Sequence, residues 1–88
     1  MAAPAKSKKA LEGALMLKGS GATRDEVRLA RDVLALVSTD GEASLDLRAE
    51  AATRQTQLNL ALGADAPEAA SRREMVMVPL LQWMGKQV

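Results

Sequence analysis

The sequence predicts an all-α fold, a small bundle or open arrangement of three to four helices with an extended basic N-terminal arm. Three observations carry this expectation. The apolar residues are almost all Ala, Leu, Val and Met, with no Ile, Phe or Tyr among the 88 residues. Ala has the best intrinsic helix propensity, while strands favour Ile, Phe, Tyr and Thr, which are scarce or absent here. Apolar positions recur at helical spacing in several windows, and helix caps and stops separate those windows. The length allows one domain, assigned to residues 7–88, behind an arm at 1–6.

The arm is Met1-Ala2-Ala3-Pro4-Ala5-Lys6. Pro4 disfavours helical geometry at the residue before it. Ser7 then serves as a plausible N-cap for a first helix over about residues 8–18, with Leu11, Ala14 and Leu15 on one face. Gly19-Ser20-Gly21 stops it, and Lys18 suits the negative C-terminal end.

The second helix has the firmest signature. Thr23-Arg24-Asp25-Glu26 has the form of a capping box. Val27, Ala30, Val33, Leu34 and Val37 follow at helical spacing, widened by Leu29 and Leu36. Ser38-Thr39-Asp40-Gly41 ends it and offers Asp40 as the next cap.

Residues 42–62 carry two signals. Leu45, Ala49, Ala52, Thr56 and Leu60 form one helical line, and Leu47, Ala51, Leu58 and Leu62 form another. Leu45/Leu47 and Leu58/Leu60/Leu62 also alternate as strands do. Helix is favoured because the centre is Ala-rich, and Glu50 with Arg54 makes a well-oriented i,i+4 pair. Gly63 is a suitable C-terminal stop.

The last segment opens with Asp65-Ala66-Pro67-Glu68, where Asp65 caps and Pro67 fits the first turn. Glu68 and Arg72 are a second i,i+4 pair. Pro79 lacks a backbone donor and clashes with the preceding turn, so a kink or a break is expected there. A short terminal helix over residues 80–84 would end at Gly85.

The composition excludes much chemistry. With neither His nor Cys, the usual nucleophile–base pairs and the common zinc, copper and haem ligands are missing. No calcium-loop spacing is present, and Gly19-Ser20-Gly21 lacks the Lys-Ser/Thr of a phosphate loop. No enzyme activity, cofactor, catalytic residue, metal site or small-molecule substrate is expected. The N-terminus has too short an apolar run for a secretory signal, and no segment reaches the roughly 20 apolar residues of a membrane span. A cytoplasmic protein, or one within a particle assembled there, is the expectation.

The net charge of +1 conceals a weak dipole. Lys6, Lys8, Lys9 and Lys18 outweigh Glu12 near the N-terminus, whereas seven acids outweigh four arginines over residues 22–50. Lys6, Lys8, Lys9, Arg72 and Arg73 are candidate phosphate contacts. The three lysines Lys6, Lys8 and Lys9 near the N-terminus make a small electrostatic footprint, and no aromatic residue is interleaved to stack on bases.

The tail offers the strongest functional clue. Eight of the ten residues from Met75 to Met84 are large and apolar, including the chain's one aromatic residue, Trp83. Such a segment is either a core helix or a docking surface. Met75, Val76, Val78, Leu80, Leu81, Trp83 and Met84 are the candidate protein-interface residues, because Trp anchors interfaces and Met adapts to irregular grooves. The expected function is a non-enzymatic subunit or adaptor that docks through this segment on a protein partner or a second copy. A virus or phage particle component is one setting for it. The alternatives are a nucleic-acid-associated accessory protein using the basic arm, and a small inhibitor or regulator of another protein.

Overall fold

The computed structural model describes residues 3–16, 23–62 and 69–88, with side chains at 61, 62 and 69–72 left aside. It contains four helices: α1 (Ala5–Leu15), α2 (Arg24–Ser38), α3 (Leu45–Leu62) and α4 (Ala69–Gln87). No strand occurs among the described residues. The helical reading of residues 42–62 therefore stands, and the alternating leucines lie on a helix.

Each helix packs on the next in the chain, and α4 closes back on α1. Three contacts orient the bundle. Ser7 near the start of α1 meets Asp40 in the α2–α3 turn. Glu50 near the start of α3 meets Trp83 near the end of α4. The Ala3 N–H donates to the Gln87 carbonyl at 3.1 Å. The helices thus alternate in direction, as in an up-and-down four-helix bundle.

Helix α1 starts earlier than expected. It begins at Ala5 behind Pro4, so Ala5 and Lys6 belong to the helix and not to an arm. Ala3 is buried in the core. Ser7 is correspondingly no cap. It is fully buried, and its hydroxyl donates to Asp40 Oδ2 at 2.6 Å. Leu11 and Ala14 are buried as the spacing indicated. Residues 1, 2 and 17–22, with Lys18 and the Gly-Ser-Gly stop, lie outside the described residues.

Helix α2 follows its sequence signature. Thr23 Oγ1 accepts from the Glu26 N–H at 3.2 Å, and the Glu26 carboxylate accepts from the Thr23 N–H at 3.4 Å. These bonds satisfy two of the orphan donors at the helix start. Val27, Ala30, Val33, Leu34 and Val37 are all buried. Asp40 does not cap α3 directly. Its Oδ1 accepts from the Glu42 N–H at 3.0 Å and shapes the turn, while Ser44 Oγ caps α3 by accepting from the Leu47 N–H at 3.1 Å.

Helix α4 runs unbroken through Pro79. Of the kink or break expected there, the break does not occur, and Pro79 sits on the exposed side of the helix. There the carbonyl that loses its partner faces solvent, while the buried side keeps its packing. Gly85 also lies inside the helix. The expected caps at Gly63 and Asp65, and the Glu68–Arg72 pair, fall outside the described residues or side chains.

The core runs the length of the bundle: Leu11, Val27, Leu34, Val37, Leu47, Ala51, Leu58, Met77, Leu80, Trp83 and Met84 are its main members. Buried Asp40 is held by two donors. The Ser7 hydroxyl and then the Glu42 N–H keep its carboxyl below the ordinary range, against the opposing effect of desolvation. Stability from this depression is fully present above the unfolded carboxyl value of about 3.9, and it is lost as pH falls through the lower folded value. Ser7→Ala is expected to lower the melting temperature at pH 7, with the deficit narrowing below about pH 4; melts across pH check this. Gly13 lies in α1 with open space where a Cβ would stand. Gly13→Ala is expected to raise stability by about 0.5–1 kcal/mol in urea titrations.

Candidate protein-interaction surface

The geometry of α4 divides the apolar tail. Steps of three residues drift about 60° backwards around a helix, so Met75, Val78, Leu81 and Met84 spiral across its surface and do not share a face. Met84 ends opposite Met75. The structure follows this arithmetic. Met77, Leu80, Trp83 and Met84 are buried in the chain's own core, and Val76 and Leu81 pack partly against it. The assignment of Leu80, Trp83 and Met84 to an exposed docking surface is therefore corrected: contacts with α1 and α3 cover both flanks of α4. Met75 and Val78 remain outside, 75% and 56% exposed.

Trp83 has its polar edge satisfied. Its indole Nε1 donates to Glu50 Oε2 at 2.6 Å. The Arg54 guanidinium lies 4.8 Å from the ring centroid, within cation–π range. Glu50 and Arg54, which their spacing suggests as a mutual pair, are instead both drawn to Trp83. The sequence gives no direct sign of this cluster, because Trp83 lies 33 residues from Glu50 and nearly as far along the chain from Arg54.

The candidate phosphate contacts do not converge. Lys6, Lys8 and Lys9 are exposed on α1, near the end of the bundle where Gln87 lies. Arg73 is half-buried and stands fourteen residues before Gln87, about 21 Å away along α4. Arg72 shares that distant end, its side chain outside the description. Among the described residues no cluster of acidic side chains is arranged to hold a metal ion, and no helix is long and apolar enough to cross a membrane.

An exposed apolar line lies on α3. Leu47, Ala51 and Leu58 turn inward and are buried. The other helical line of this segment, Leu45, Ala49, Ala52, Thr56 and Leu60, turns outward and every member is exposed. Leu45 and Leu60 are 75% and 74% exposed. With Thr53, these positions fall within about 100° of the helix circumference and span about 22 Å of its length. None is charged.

The two threonines make this face less polar than its composition implies. Thr53 Oγ1 donates to the Ala49 carbonyl at 3.1 Å, and Thr56 Oγ1 donates to the Ala52 carbonyl at 3.2 Å. Each hydroxyl is satisfied within its own helix, which leaves the methyl group available for packing. The pattern was visible in the sequence as a second apolar line, but spacing alone cannot tell which of two opposed lines turns inward.

No protein-family model, curated protein or solved structure matches this chain. The reading of its surface therefore rests on the residues themselves.

Trp83→Ala is expected to cost about 3–5 kcal/mol, since it removes the largest core side chain. Glu50→Gln keeps an acceptor for the indole and is expected to cost far less. Thermal unfolding followed by circular dichroism distinguishes the two.

Proposed function

We propose that the protein is a non-enzymatic helical subunit that acts by docking on another polypeptide chain. The observation that carries this reading is the uncharged outer face of α3, where Leu45 and Leu60 stand three-quarters exposed at either end of a row of small side chains. Leaving two leucines in water forgoes burial energy of about 1.5–3 kcal/mol each. A folded chain that buries Leu11, Leu34, Leu47, Leu58 and Leu80 while presenting these two in one line is suited to receive a helix or a similar ridge. The row of Ala and Thr permits close backbone approach, and the leucines close its ends.

Met75 and Val78 on α4 form a second, smaller exposed apolar site. They retain the part of the tail that the core does not use. Absent His and Cys, together with polar residues absorbed in caps and core contacts, favour an assembly role over catalysis. A particle component, an adaptor and a protein inhibitor are all forms of such a docking subunit. The nucleic-acid reading is weaker, because Lys6, Lys8 and Lys9 stand at one end of the bundle and Arg72 and Arg73 at the other.

A photo-crosslinking amino acid at position 56 tests the proposal in the native cell, with one at exposed position 28 of α2 as control. The expected outcome is a discrete protein adduct from position 56 that position 28 does not give, and that Ala52→Arg abolishes. Equal labelling from both positions, or no adduct, removes the reading.

A further inference from the structure

We draw no further inference here: the strongest candidate, the uncharged outer face of α3 between Leu45 and Leu60, belongs to the docking surface already proposed, and nothing in the structure shows what covers it.

Discussion

The burial of one indole between α3 and α4 is the constraint on which this fold depends. The core has no Phe, Tyr or Ile, and many of its members are alanines. Alanine brings helices close but contributes little apolar area. Trp83 supplies bulk where α3 and α4 meet, and its aromatic surface cannot be replaced from elsewhere in the chain. Its N–H would be costly to bury without an acceptor, and Glu50 provides one. The half-buried Arg54 guanidinium covers the ring face. The position of the last helix follows from this cluster, and α4 in turn provides the wall against which α1 closes.

Using the tail as core has a consequence for the rest of the surface. A chain of this length has little large apolar material to distribute. Met77, Leu80, Trp83 and Met84 are committed inward, so the leucines left over are conspicuous. Those on α3 fall on one line with no charge within it. Of the two apolar lines of α3, the bundle buries one and leaves the other exposed.

Much of the architecture was legible in the residues. The capping box at Thr23 and Glu26, and the stripe from Val27 to Val37, depend on local spacing, and local spacing is what a sequence displays. Ser7 and Pro79 were not legible for the opposite reason. A serine after a proline-containing segment looks like a cap; only the approach of Asp40 from 33 positions away reveals it as a buried donor. Proline inside a helix is costly as a rule, yet the cost depends on which side faces solvent, and that is decided by tertiary packing. The tail residues Leu80, Trp83 and Met84 read as surface on the same ground. Apolar content marks both a core helix and an interface, and the two part company only when the neighbours are in position. Both lines on α3 were there to be read; their assignment to inside and outside required the bundle.

Three long-range polar contacts gather at one end of the molecule. Ser7 with Asp40, Trp83 with Glu50, and the Ala3 amide with the Gln87 carbonyl lie around the α2–α3 turn. Directional bonds fix register, so this end sets how the helices stand against one another, and Val27, Ala30, Leu58 and Met77 carry the same alignment along the core as apolar packing.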